Sequence, residues 1–393
     1  MFLGHRTFSK LIVRITIGAL ALAICAIILS IAILNGFKTE IIEKQRGFFG
    51  DIVITKNDLN SSYENTPIEL SKENIEELKN NKEVRSITPF ATKAGIMNVK
   101  GEVEGVLLKG VDGTYDQKYF QRNIVAGDTL DFADNPDTQL LVSELIANRL
   151  NLSVGDKFIM YFVQEPLRKR PFTVKGIFAT HTEELDKTYV IGSLDLIRKL
   201  NNLSDNEVGA YQLHIASFDS LETVSEQIND LLPIDYNATN IVEQMPDIFN
   251  WLNMLDMNDN VIFVLMVIVA VINMISSLLI SILERVSMIG VLKALGYHNS
   301  GIRKVFLYSS IYMVGIGLLI GNGVALLLYI LQINTHFFTL DPAIYYIEYV
   351  PMYITWYEVL GLNIALVTIG ILSLFLPAML VSKISPIKTI QFK

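Results

Sequence analysis

The sequence predicts a membrane α-helical protein with four transmembrane helices in a 1+3 arrangement around a large α+β extracytoplasmic domain. Two observations predict this: the uneven spacing of the long apolar runs and the one-sided charges that flank them. Residues 15–34 are 20 residues without a charge, and the next such run, 261–283, starts only about 225 residues later. Two more runs lie within 305–333 and at 359–382. As a helix, each is long enough to cross a hydrocarbon layer of ~30 Å. The chain has 393 residues and is 51% hydrophobic, which is high for a soluble protein and ordinary for a membrane protein with one soluble domain.

The segments beside the spans carry Arg6, Lys10, Arg14, Arg285, Lys293, Arg303, Lys304, Lys383, Lys388 and Lys393 against a single acid, Glu284. Residues 334–358 hold Asp341, Glu348 and Glu358 and no base. By the positive-inside rule the basic segments are cytoplasmic. The expected organisation is a cytoplasmic N terminus and first span over 1–36, then an extracytoplasmic domain over 37–255 with a β-rich insert at about 92–190. The second span follows over 256–283, a cytoplasmic loop over 284–304, the third span over 305–333 and an external loop over 334–358. The fourth span and a cytoplasmic C terminus occupy 359–393. The first span reads as an uncleaved anchor, because its apolar run is long and no A-x-A-like site follows it.

Within the external domain, period-two runs predict strands at 51–55, 84–89, 94–99, 104–110, 157–162, 172–178, 189–191, 210–216 and 239–242. Helices are expected over 71–80, where Ser71 caps and Ile75 and Leu78 share a face, and over 143–150, 194–200 and 221–232. The pattern is two split βαβ-like halves flanking the insert. Residues 56–67 read as a mobile polar loop, and His181, Glu183 and Glu184 as a solvated loop.

Between its first two apolar runs the chain has 22 basic and 36 acidic residues, a balance that excludes nucleic acid as a partner for its bulk field. The one cysteine, Cys25, lies mid-span, and the five histidines show no metal-ligand spacing, so no metal site is expected. There is no Gly-Lys dipeptide and hence no P-loop; G-x-S-x-G and H-E-x-x-H are also missing. Apart from Arg14 at an edge, no charge sits in the four apolar runs themselves, where an ion-driven carrier would need one. No catalytic residue is expected, nor a cofactor in this chain.

The informative segment is the loop at 284–298. Ile289, Leu292 and Leu295 recur at every third residue, and Gly296 is a natural left-handed stop. Asn299 or Ser300 can cap the helix that follows. The product is a short amphipathic helix, either lying at the interface or fitting a groove on a soluble partner. In the third span, Gly315, Gly317, Gly321 and Gly323 form a row of small residues that suits close helix approach, either to the second or fourth span or to another subunit.

Glu284, Arg285, Ile289, Gly290, Lys293, Ala294, Leu295 and Gly296 resemble the E-R-x-x-x-I-G-x-x-K-A-L-G loop of FtsX-like/MacB-like ABC permeases. The exit of the first span, Asn35-Gly36-Phe37 followed by Glu40, resembles that of the lipoprotein-releasing permease subunits, and residues 143–158 resemble the family's external core domain. Residues 384–390, with Pro386, are similar to the family's closing segment. The resemblance implies an inner-membrane permease with a periplasmic domain. It implies a separate cytoplasmic ABC ATPase dimer that binds ATP and Mg, and a second permease, either a copy or a relative. The substrate would be a lipoprotein or hydrophobic molecule moved by mechanical coupling; efflux of a peptide or antibiotic, and signalling to an external hydrolase, are the alternatives. Glu284 to Gly296, with Leu292 among them, would couple to the ATPase. Asn35, Met254, Met257 and Asn258, where the first two spans meet the external domain, would touch substrate or lipid. The segment 162–171, with Pro166, Leu167 and Arg168, matches in position the hairpin that recruits a periplasmic carrier.

Overall fold

The computed structural model describes residues 3–58, 64–340, 347 and 349–383. The chain divides into two compact units, a helical one holding Met1–Glu40, Asn250–Leu340 and Tyr349–Lys393, and a second built on Ile41–Phe249.

In the helical unit three helices are long and apolar enough to cross a membrane: Val13–Phe49, within a helix that begins at Leu3, Pro246–Glu284 and Asn299–Thr335. A further apolar helix covers Trp356–Lys383, of which Trp356–Leu372 is the stretch with described side chains. The first helix continues past residue 36, where the first span is expected to end, and runs unbroken to Phe49. Gly36 serves a close approach instead. A Cβ there would lie 2.5 Å from the Pro351 carbonyl oxygen, where the chain crosses the helix and Tyr353 N–H donates to Ala32 O at 2.8 Å. The apolar core joins Leu20, Ile24, Ile27 and Ile28 of this helix to Ala270, Met274 and Leu278 of the second and to Phe306 and Val314 of the third. Gly317 and Gly321 face the first helix: a Cβ on Gly321 would meet the Ala21 carbonyl oxygen at 2.8 Å, and one on Gly317 would meet Leu20. Gly315 and Gly323 face open space. Two of the four small residues therefore approach the first span, rather than the second or fourth. Gln332 ties Phe338 to Val350: its amide donates to Phe338 O and Val350 O at 3.1 and 2.9 Å and accepts from Phe338 N–H at 2.9 Å. Asp341, Glu348 and the closing segment at 384–390 lie outside the described residues.

The second unit is one sheet in the order β10-β1-β9-β2-β3-β8-β5-β7-β4, with β6 bridging β2 and β7. The strands are β1 (Ile52–Lys56), β2 (Val84–Val99), β3 (Glu102–Val111), β4 (Ile124–Gly127), β5 (Gln139–Ser143), β6 (Lys157–Phe162), β7 (Arg168–Phe178), β8 (Tyr189–Ser193), β9 (Ala210–Ile215) and β10 (Tyr236–Asn240). β10, β1, β9 and the first half of β2 form an antiparallel split βαβ set, with helices Lys72–Asn80 and Leu221–Leu231 as its crossovers. The two halves predicted from the sequence thus close on each other. Residues 84–89 and 94–99, expected as separate strands, are one 16-residue strand that carries the sheet into the insert. There β3 pairs β8 and β5 pairs β7 in parallel. Serines make the local starts: Ser71, Ser143 and Ser193 each accept an N–H from the first turn of the helix they precede. Aromatic residues fill one core, with Phe48 4.9 Å from Tyr189 and Phe120 5.7 Å from Phe178. Fully burying each such ring contributes roughly 1.5–3 kcal/mol.

Candidate functional site

The second long helix ends at Glu284, and Arg285, at φ −108°, breaks it before a nine-residue helix, Val286–Ala294. The end of this helix is closed as the glycine predicts. Gly296, at φ +85°, donates to Lys293 O at 3.0 Å, and Tyr297 N–H reaches back to Leu292 O at 3.0 Å. The next helix is capped at His298 rather than at Asn299 or Ser300. Tyr297 lies over Gly301, where a Cβ would collide with its ring at 2.6 Å.

The expected stripe of this loop helix is divided between two faces. Ile289 and Gly290 are fully buried, and Ile289 joins the core with Ile282, Ile302 and Phe306. Leu292 is half-buried against the same core. Met288, Val291 and Leu295 point outward, Leu295 with 79% of its surface exposed. Glu284, Arg285 and Ala294 are exposed as well. Lys293 is half-buried, and burial, followed by the Arg303 guanidinium, lowers its pKa. The helix is therefore anchored to its own bundle by one edge and offers a second apolar edge, Met288-Val291-Leu295, to something outside. The three-residue spacing could not separate these edges, since both carry apolar residues.

At the other end of the bundle the first and second helices meet beside the residues expected to touch substrate or lipid. Phe37 packs edge-on against Trp251 at 5.9 Å, and Lys38 pairs with Asp256 at 2.6 Å. Asn35 instead donates to Glu358 at 3.1 Å, and Glu358 caps the last helix by accepting from Thr355 N–H and its hydroxyl at 2.7 and 2.6 Å. Met254, Met257 and Asn258 are exposed, the two methionines by 61% and 69%. The methionines begin an exposed apolar face that continues through Val261, Leu265 and Ile268.

The hairpin at 162–171 is short. Phe162 and Arg168 are paired, which leaves five residues in the turn, and Pro171 is already within β7 opposite Ile159. Pro166 lies in this turn and Leu167 is exposed. Arg168 is occupied: its guanidinium donates to Lys199 O and Leu200 O at 3.0 and 2.9 Å, at the end of helix Leu194–Asn201. Arg168 is thus tied to the sheet unit's own backbone at this hairpin. The loop expected at 56–67 is tethered at its far side, where Glu64 pairs with Lys93 at 2.8 Å and Asn65 accepts from Thr92; residues 59–63 lie outside the described residues. The stretch read as a solvated loop around His181 includes a helix, Glu183–Thr188. Its buried Asp186 accepts from the Thr180 N–H and hydroxyl and from His181 N–H. No cluster fit to hold a metal is found among the described residues.

Sequence reasoning missed two buried groups because nothing local marks them. Asp51, fully buried, accepts from Arg46 and from Ile215 N–H at 2.8 Å. Burial alone would raise its pKa, but His214, Arg46 and the Ile215 N–H outweigh that and hold it low. Lys109 lies inside the sheet unit, with its ammonium over the rings of Phe48 and Phe90 at 4.6 and 4.9 Å.

Residues 15–231 match the family model of the MacB-like periplasmic core domain, and residues 260–386 match that of the FtsX-like permease C-terminal region. A relative named lipoprotein-releasing system transmembrane protein LolC, from Neisseria meningitidis, is 20% identical over 408 residues, covering 98% of this chain and 95% of that protein. The protein named LolE in the same system of Haemophilus influenzae is 20% identical over 402 residues, covering 97% and 94%. The extracellular domain of the noncanonic ABC-type transporter YknZ is 18% identical over 48% of this chain and 99% of that one, with a TM-score of 0.35. The periplasmic region of MacB from Actinobacillus actinomycetemcomitans is 17% identical over 51% and 93%, with a TM-score of 0.36.

Proposed function

We propose that this chain, which belongs to the permease family built from a MacB-like periplasmic core domain and an FtsX-like C-terminal region, is the membrane subunit of an ABC transporter that draws lipoproteins out of the inner membrane for transfer to the outer one. The relatives named for lipoprotein release match it over nearly its whole length. In this reading the helix Trp356–Lys383 is a fourth span, both termini and the 284–304 loop are cytoplasmic, and the sheet unit is periplasmic. A separate ATPase dimer holds ATP and Mg and supplies the work. A second permease, a copy or a relative, completes the complex.

The observation that carries the proposal is the loop helix. Its inner edge, Ile289 and Gly290, is locked into the bundle, so a push on the helix moves the long helices with it. Its outer edge, Met288, Val291 and Leu295, is an apolar knob of the kind a groove on a partner accepts. Closure of the ATPase then travels along rigid helices to the external side as force. A lipid-anchored substrate rests on the exposed face that starts at Met254 and Met257, where each buried CH₂ contributes about 0.8 kcal/mol.

Val291→Asp and Leu295→Asp test the coupling. Each would place an unpaired charge in the groove, at a cost of several kcal/mol, so co-purification of the ATPase should fall at least tenfold. Because both side chains are exposed in the free chain, membrane insertion and thermal unfolding should be unchanged. Leu292→Asp is a poor probe, since Leu292 packs on its own bundle. Undiminished association in both variants would remove the coupling role from this helix.

A further inference from the structure

We propose that a cavity in the sheet unit, beside Lys109, is a binding site for a small aliphatic carboxylate. The proposal stands on a contrast between two lysines on the paired strands β2 and β3. Lys93, almost fully buried, has a carboxylate partner in Glu64 at 2.8 Å. Lys109 is 2% exposed and has no acidic partner among the described residues. In the place of a carboxylate there is a cavity of about 320 Å³.

The site has a head and a body. At the head, Lys109 Nζ donates to the Phe48 carbonyl and to Gln212 Oε1 at 2.8 Å, which uses two of its three N–H groups. The ammonium also faces aromatic rings, with Tyr115 at 5.5 Å joining the two named above. Burial pushes the pKa of Lys109 down to about 7, so the charged form is disfavoured until an anion beside it stabilises the ammonium. Among the described residues Lys109 is the one charged group that lines the cavity. In the body the apolar part of the lining is largely aromatic, Phe48, Phe49, Phe90 and Tyr189 with Leu107, and Asn65, Thr92 and Gln244 belong to its polar part. Thr55 and Thr239 stand on adjacent strands as further lining residues.

This chemistry selects among anions. A phosphate dianion leaves water only at the cost of two charges, and the single cation Lys109 can balance one of them. A monocarboxylate needs fewer, and its aliphatic tail gains from the apolar walls. At roughly 30 Å³ for a water-sized group, the cavity holds about ten non-hydrogen atoms, the size of an eight-carbon acid.

The test is equilibrium binding of labelled octanoate to the full chain in lipid nanodiscs, read above the background of nanodiscs without protein. Saturable binding is expected, with octanol at least tenfold weaker. Lys109→Met should reduce octanoate affinity at least tenfold. Lys109 also caps the last turn of the first long helix through the Phe48 carbonyl, so this variant can lose the fold; Thr55→Trp then decides. That substitution fills the cavity from a half-exposed position without touching Lys109, and it should abolish binding while leaving thermal unfolding unchanged. No saturable binding, equal affinity for octanol, or undiminished binding to Thr55→Trp would each overturn the proposal and leave Lys109 as a structural cap only.

Discussion

The sheet unit hides its polar groups in closed networks, whereas the helical unit leaves large apolar side chains in the open. In the first, Asp51 is wholly buried yet accepts from Arg46 and from the Ile215 N–H. In the second, Leu22 and Leu319 are 73% and 77% exposed on otherwise well-packed helices. An exposed apolar face of that extent is destabilising in water and neutral in lipid, so one chain has folded against two solvents. The helices also differ among themselves. Of the apolar stretch in the first helix 39% is buried, against 18% and 22% in the next two, which makes the first helix the axis on which the others pack.

The comparison can be broken most severely at Asp51. Asp51→Ala should cost about 3 kcal/mol, because it leaves Arg46 and the Ile215 N–H without their acceptor. Thermal unfolding of the sheet unit should register it, with the helical unit still inserted. The pKa of Asp51 is lowered in the fold, so its contribution is present above the unfolded carboxylate value, near 3.9, and is lost as pH falls through the folded value. Wild type should therefore lose stability below about pH 4 more steeply than Asp51→Asn. A shallow, equal acid response in both would mean the network does not stabilise the fold.

In the helical unit the next largest effect is expected from close backbone approach. Gly321→Leu forces a side chain into the Ala21 carbonyl and Ile24, at a cost of about 1–3 kcal/mol, while Gly323→Leu points into open space and should be silent. Unfolding of the detergent-solubilised protein distinguishes the two. If Gly323→Leu proves the more damaging, that face is covered by another subunit and the lipid reading of it fails.

A smaller effect would sharpen the contrast in polar usage. Asn322 and Asn363 exchange amide hydrogen bonds at 2.8 and 3.0 Å, tying the third long helix to the last. Such a pair within apolar helices contributes roughly 0.6–1.7 kcal/mol. Asn322→Leu should lose about that much in detergent unfolding, and Asn322→Leu with Asn363→Leu should recover part of it. If both variants unfold like wild type, the pair contributes no measurable stability.

Much of the candidate site was legible because it is built from local signals. Gly296 stops the loop helix as its backbone freedom predicts, and Met254 and Met257 stand exposed where the second helix begins. The errors arose where a local pattern had two solutions. The Ile289-Leu292-Leu295 stripe fits an inner and an outer edge equally well, and only the packing of Ile282, Ile302 and Phe306 assigns Ile289 inward. Other contacts have no local signal at all: the carbonyls that hold Arg168 come from Lys199 and Leu200, 31 and 32 residues away. Pro351, the neighbour that needs a glycine at Gly36, is likewise remote in the chain.

By itself, the sequence determined the apolar stretches, the serine starts of the short helices and most strands of the external domain. Each of these follows from hydropathy, periodicity or a hydrogen bond that closes within a few residues. Tertiary structure alone decided that β2 is continuous, that β1 inserts between β9 and β10, and that Gly317 and Gly321 receive the first helix. It also decided that Lys109 stands in a cavity without a carboxylate while Lys93, on the paired strand, has one. These outcomes depend on partners brought together across tens to hundreds of residues, and no local period or cap encodes which partner arrives.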